Sequence, residues 1–199
     1  MEEINKILIG TNNKGKFKEL SHLLSKKIKK ISPSKIGIKS PREIGKTFKK
    51  NSILKAKYFS EKSNMISISD DSGLCVECLD GRPGIYSARW ASKNGNFNKA
   101  MKKIIRLVDN KNKKVKNRRA KFICSLSIKY PKGKCITVVG KINGSISSYI
   151  KGKKGFGYDS IFVPKNFVIT FGEMNQKSKM LIDHRFIAFK KLKKKISSL

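Results

Sequence analysis

Two stretches of this chain carry acidic residues at spacings that could do chemistry. The first is Ser69-Asp70-Asp71-Ser72-Gly73-Leu74, which follows an apolar run at 65–68. Adjacent carboxylates raise each other's pKa, and burial adds to the cost. A divalent cation relieves that cost, and hard ions such as Mg²⁺ take carboxylate oxygens. The chain has 13 acidic residues against 47 basic ones, so a neighbouring pair stands out. The same hexapeptide also reads as an ordinary surface turn, because Asp, Ser and Gly are turn formers. The second stretch is Pro41-Arg42-Glu43-Ile44-Gly45-Lys46-Thr47-Phe48. Alone, Glu43 is an acid ahead of a helix start, where the helix dipole favours it. Together with Asp70 and Asp71 it would complete a three-carboxylate metal site. Asn51 and Lys55, four apart on the following helix, share one face and can point at one site.

Three further sets suit an anionic, planar ligand. Thr11-x-Asn13-x-x-Lys16 lies between an apolar run and an amphipathic stretch. Backbone N–H groups at a helix start, with a nearby lysine, make a phosphate seat. The glycine spacing is not that of a P-loop, and plain helix caps look similar. Gly155-Phe156-Gly157-Tyr158-Asp159 could bring backbone close to a flat ligand with an aromatic to stack on it. It reads equally as a glycine loop with buried aromatics. Lys179 precedes His184-Arg185, and Arg and His are donors suited to the 6-keto edge of a purine. In isolation Arg185 is a surface helix residue. Cys75 and Cys78 have the spacing of zinc and redox motifs. On a strand they would point to opposite faces, and buried thiols are the better reading.

Elements must position these residues. Residues 6–10 read as a buried strand, followed by a helix whose apolar positions are Phe17, Leu20, Leu24 and Ile28, capped by Asn12 or Asn13. A helix is predicted at 47–63, a strand at 65–69, the acidic turn, and a strand at 74–79. Gly81-Arg82-Pro83-Gly84 is a turn. A helix follows at 97–108, then a charged loop at 111–119. Period-two alternation at 120–130 predicts a half-buried strand, with a hairpin turn at 131–134 into a strand at 135–142. A short strand at 161–163 and a last helix at 180–196 complete the chain. Helices and strands mix with a hairpin, so a mixed-sheet α/β domain over 1–199 is expected.

Composition narrows the classes. No apolar run approaches the roughly 20 residues that span a bilayer, and the N-terminal residues lack a signal-peptide pattern. A cytoplasmic protein with no membrane partner is expected. The formal charge is +34. It reads either as a polyanion partner or as compositional drift. The lysines are spread along the chain and outnumber arginine, whereas dedicated nucleic-acid surfaces favour Arg. No dedicated nucleic-acid partner is expected.

Taken together, the motifs resemble one family, the inosine triphosphate pyrophosphatases. Its T-x-N-x-x-K turn is matched by Thr11, Asn13 and Lys16. Its Glu-x-Gly-x-Thr-Phe and Asn-x-x-Leu-Lys-Ala segments are matched by Glu43, Gly45, Thr47, Phe48, Asn51, Leu54, Lys55 and Ala56. Asp-Asp-Ser-Gly-Leu and Pro-Gly-Ile-Tyr-Ser-Ala-Arg fall at 70–74 and 83–89, and Gly-Phe-Gly-Tyr-Asp at 155–159. Glu173, Met174, Lys179, His184 and Arg185 keep the family spacing. Asp183 stands where the family usually has Ser, and Lys50 where an acid is common. The resemblance implies an elongated twisted mixed β-sheet flanked by helices, in two lobes with a central cleft. It implies hydrolysis of ITP, dITP and XTP to the monophosphate and pyrophosphate, with Mg²⁺ on Glu43, Asp70 and Asp71. Asp71 would deprotonate the attacking water, and Lys16 would act with it. Substrate would meet Thr11, Asn12, Asn13, Lys14, Gly15, Lys16, Lys55 and Ser72 at one end. Phe156, Gly157, Tyr158, Asp159, Lys179, His184 and Arg185 would meet it at the other. A homodimer is implied. The competing readings are a pyrophosphatase for other modified nucleotides and a basic nucleic-acid-binding module.

Overall fold

A computed structural model describes residues 4–91, 96–112 and 117–196. Six strands hydrogen-bond in the order β2-β1-β3-β4-β5-β6: β1 Lys6–Ile9, β2 Lys29–Ile31, β3 Ser67–Val76, β4 Arg119–Lys129, β5 Cys135–Ile146 and β6 Phe162–Pro164. β1 pairs in parallel with β2 and β3, whereas β5 and β6 are antiparallel, so the sheet is mixed. The helices are α1 Lys14–Leu23, α2 Phe48–Ser63, α3 Ser87–Trp90, α4 Phe97–Asn112, α5 Gln176–Met180 and α6 His184–Lys193. The chain divides into two compact units. One is drawn from residues 1–71, 124–140 and 185–199, the other from 72–123 and 141–184.

In the first unit, Ile7, Ile9, Ile68, Cys124, Leu126 and Ile128 pack against Leu20 and Leu24 of the α1 region and Ala188, Phe189 and Leu192 of α6. Alternation turns the intervening residues to the other face. There the surface is polar. Ser52 of α2 shares hydrogen bonds with the Ser125 and Ser127 hydroxyls at 2.8 and 2.9 Å. Both helix starts are capped as their sequences require. Asn13 accepts from the Lys16 N–H, and Thr47 from the Lys50 N–H.

In the second unit, α4 lays Ala100, Met101, Ile104 and Val108 against Leu74, Val76, Ala120, Phe122 and Phe162. The rings of Phe122, Phe162 and Phe171 cluster, and His184 stacks on Phe122 with centroids 4.8 Å apart.

Several expectations need correction. The acidic hexapeptide is not a turn: Asp70, Asp71, Ser72 and Gly73 lie inside β3, which runs unbroken from Ser67 to Val76. Two buried carboxylates can sit mid-strand because each finds its own cations. The strand predicted at 74–79 ends at Val76 and passes into a 3₁₀ turn, Glu77–Leu79. α1 stops at Leu23, so Ile28 joins the core from the loop. The last helix, expected at 180–196, runs only from His184 to Lys193, and a short unpredicted helix, α5, precedes it. The Ile182 and Asp183 N–H groups both bond to the Lys179 carbonyl, which closes α5 before α6 starts at His184. β2 went unpredicted, because three residues with two lysines carry no apolar alternation. α4 continues to Asn112 and β4 begins at Arg119, while 113–116 of the expected charged loop lie outside the described residues.

Candidate active site

β1 ends at Ile9, and its register against β3 ends at Ile68. Asp70 and Asp71 therefore extend past β1. Successive strand residues leave opposite faces, and the two carboxylates meet different elements. Asp70, fully buried, faces α1 and α6. Its Oδ2 is 3.2 Å from Lys16 Nζ and 3.3 Å from Arg185 Nε. Arg185 Nη1 also donates to Glu19 Oε2 at 2.6 Å. Asp71, 4% exposed, faces α2. Asn51 Nδ2 donates to its Oδ2 at 3.0 Å, and Lys55 Nζ is 3.9 Å from its Oδ1. The spacing of Asn51 and Lys55, one helical turn apart, does place both on Asp71.

The loop before α2 closes over the same point. The Gly45 N–H donates to Asn51 Oδ1 at 2.7 Å, and Lys55 Nζ donates to Glu43 Oε1 at 2.6 Å. One amide thus holds the loop and the carboxylate together, and one ammonium lies between Glu43 and Asp71.

The electrostatics follow from that packing. Burial pushes the Asp71 carboxyl above the ordinary aspartate value. Lys55 and Lys16 pull it down, Glu43 raises it, and the Asn51 hydrogen bond lowers it, but burial prevails. Burial also pulls the Lys55 ammonium down most strongly. The charges of Asp70, Asp71 and Glu43 outweigh it and hold that lysine above its usual value. Four carboxylates, Glu19, Glu43, Asp70 and Asp71, meet three cations, Lys16, Lys55 and Arg185, so negative charge is left in excess. Such a site suits a further cation, and its donors are the hard oxygens that Mg²⁺ prefers. Among the described residues, however, no three carboxylates are gathered as one set of metal ligands. Glu43 and Asp71 face a common cation, the Lys55 ammonium, while the contacts of Asp70 described above lie with Lys16 and Arg185.

The phosphate-seat turn is ordered by its own side chains. The Asn13 N–H donates to Thr11 Oγ1, and Asn12 Nδ2 donates to Ser40 Oγ. Lys14 is exposed; Gly15 and Lys16 are half-buried in the first turn of α1. Ser72 is half-buried in β3.

The second unit organises the glycine-aromatic loop. Gly155 and Gly157 have φ of 76° and 67°, a region open to glycine and strained for other residues. Asp159 Oδ2 accepts from the Phe156 N–H at 2.8 Å and from Lys179 Nζ at 2.6 Å. Lys179, 2% exposed, also lies 5.1 Å above the Phe156 ring and 5.6 Å above that of Phe171. Tyr158 is buried, its hydroxyl on the Ser87 carbonyl and its ring edge-on to Phe97. Phe156 remains half-buried.

Glu19 escaped the sequence reading. Its signal was present: Lys16, Glu19, Leu20 and Leu23 recur at helical spacing, which sets an acid on the apolar face of α1. A buried acid there needs a cation, and Arg185 supplies it.

Known proteins resemble this chain over nearly its whole length. A model of the Ham1 family matches residues 7–195. The dITP/XTP pyrophosphatase of Haemophilus influenzae is 41% identical over 194 residues, covering 96% of this chain and 98% of its own. That of Caulobacter vibrioides is 38% identical over 188 residues, covering 94% and 96%. The Staphylococcus aureus Ham1 structure superposes with a TM-score of 0.84 at 33% identity, covering 96% of this chain and 98% of its own. A HAM1 protein from Coxiella burnetii gives 0.87 at 28% identity, covering 98% and 99%. The motif resemblance, the near-complete coverage and the shared fold lead to one conclusion: this chain belongs to the Ham1 family.

Proposed function

We propose that this protein is a nucleoside-triphosphate pyrophosphatase that removes dITP, XTP and ITP from the nucleotide pool. The observation that carries the reading is Asp71. It is buried, held by the Asn51 amide beside Lys55, and kept above the ordinary aspartate value. A carboxylate of raised basicity next to lysines suits a general base that activates water against a phosphoanhydride. The relatives' names supply the substrate class.

In the reaction, Asp71 takes a proton from a water whose oxygen attacks the α-phosphorus. The bond from the α-phosphorus to the α–β bridging oxygen breaks, and pyrophosphate leaves. Lys16 and Lys55 offset charge on the phosphates, and the turn from Thr11 through Asn12, Asn13, Lys14 and Gly15 offers backbone donors, with Ser72 nearby in sequence to the base. Phe156, Gly157, Tyr158 and Asp159 shape the place for the purine. Lys179 holds that loop, and His184 and Arg185 read the 6-keto edge. Glu43 and Asp71 would hold the divalent ion, with Asp70 adding charge. Bound Mg²⁺ supplies charge compensation on the triphosphate oxygens. A cytoplasmic homodimer is part of the same proposal, as the family resemblance implies.

The test is steady-state kinetics on dITP, XTP, ITP, GTP and ATP, with Mg²⁺ and with EDTA. dITP, XTP and ITP should lead by kcat/KM over ATP, which lacks the 6-keto group, and over GTP, whose 2-amino group the space around position 2 must exclude; EDTA should stop turnover reversibly. Asp71→Asn should lower kcat by ~10²–10⁴-fold, the usual worth of a general base, while nucleotide still binds. Retention of more than about a tenth of the rate would remove Asp71 from that role.

A further inference from the structure

The sheet carries a concavity that the proposed reaction does not use. Within the second unit, β3, β4, β5 and β6 turn one face to α4. The opposite face, with Arg119, Lys121, Lys141 and Asn143 exposed, is a groove of about 710 Å³. That volume lies within the range of small-molecule sites, roughly 300–1,000 Å³. Its apolar wall is Val163, Pro164 and the half-open Phe167 ring; Asn143 and Ser145 add neutral hydrogen-bonding groups.

Charge inside the groove is unevenly matched. Glu77 pairs with Arg119 at 3.1 Å, and Asp80 pairs with Arg82 at 3.2 Å. Lys121, Lys141 and Lys165 have no ion-pair partner among the described residues. Register brings these three near one point. The Lys165 N–H bonds to the Asn143 carbonyl, and the Ile146 N–H bonds to the Arg118 carbonyl. Counting back along the β4–β5 hairpin sets Lys121 beside Asn143. Asn143 is therefore flanked by Lys121 on one neighbouring strand and Lys165 on the other, each about 5 Å away across the sheet. Lys141 stands two residues along on the same face as Asn143.

We propose that this groove is a second, non-catalytic site for a small organic phosphate. The phosphate would sit over Asn143 among Lys121, Lys141 and Lys165, and the organic part against Val163, Pro164 and Phe167. A second copy of the chain is a poor occupant, because a two-fold contact would set these lysines against their own equivalents. The site lies outside the carboxylate cluster, so its failure leaves the hydrolase assignment standing.

The experiment titrates the ¹⁵N-labelled full chain with ribose 5-phosphate, which has neither a base nor a triphosphate. Saturable shifts are expected at the Lys121, Asn143 and Lys165 amides, with a Kd of about 1 mM or tighter and weaker binding of inorganic phosphate. The double variant Lys121→Gln/Lys165→Gln should weaken binding about tenfold or more. Its turnover of dITP and its unfolding midpoint should stay as in the parent. Four outcomes would overturn the proposal: no saturable shift, shifts unchanged in the double variant, inorganic phosphate bound as tightly, or a thymidine oligonucleotide bound on these amides with a steep salt slope while ribose 5-phosphate is not.

Discussion

At the scale of single residues, the chemistry depends on how Asp71 is held. Asn51 spans two jobs: its carbonyl oxygen accepts from the Gly45 N–H and its amide donates to Asp71. The donated hydrogen bond lowers the pKa of a carboxyl that burial raises. A base must be ionised to act, so the acid limb of kcat/KM should lie above pH ~4, the ordinary aspartate value. Asn51→Ala removes one lowering influence. That limb should move to higher pH, and kcat on the alkaline side should fall about tenfold as Asp71 loses its orientation. A variant that was merely destabilised would lose rate with no displacement of the limb, so the full pH profile of kcat/KM is the measurement. The same shift bears on stability. The folded Asp71 pKa is raised, so protonation favours the folded state at low pH. That contribution fades as pH rises from the unfolded to the folded value, and Asp71 opposes folding above it.

At the scale of elements, α2 and the loop before it make the site. Thr47 caps the helix, and Gly45 passes close to its first turn. A Cβ on Gly45 would come within 2.5 Å of Asn51 Oδ1 and 2.8 Å of the Lys50 side chain. Gly45→Ala should therefore push the loop off Asn51 and carry Glu43 away from Lys55, lowering kcat/KM for dITP by about tenfold. The global unfolding midpoint should shift little, because the loop lies outside the apolar core. A large loss of midpoint with unchanged kinetics would contradict this role. These elements were legible to different degrees. The predicted span of α2 matched almost to the residue, because Thr47 and the long pattern mark both ends. The acidic stretch read as a turn, because Asp, Ser and Gly form turns when local preference decides. Here the sheet decides. β3 continues because β4 pairs beside it and because Lys16, Arg185, Asn51 and Lys55 meet its carboxylates.

At the scale of the whole molecule, the +34 charge should act on encounter more than on chemistry. Substrates carrying several negative charges are drawn in over distances that salt shortens, from ~30 Å at 0.01 M to ~8 Å at 0.15 M. Across that range kcat/KM for dITP should fall by about an order of magnitude while kcat holds. Steady-state kinetics over a KCl series checks it; a flat kcat/KM would show that the charge does not steer substrate. The family and the mixed α/β class were determined by sequence alone, because motifs in fixed order survive as strings of residue types. Partner choice was not. Which cation meets Asp70 and which meets Asp71 depends on strand alternation and on helices distant in sequence. Glu19 and Arg185, 166 positions apart, pair only because α1 and α6 cover the same face. A buried charge takes whatever counter-charge the packing brings to it, and that assignment exists only in the folded chain.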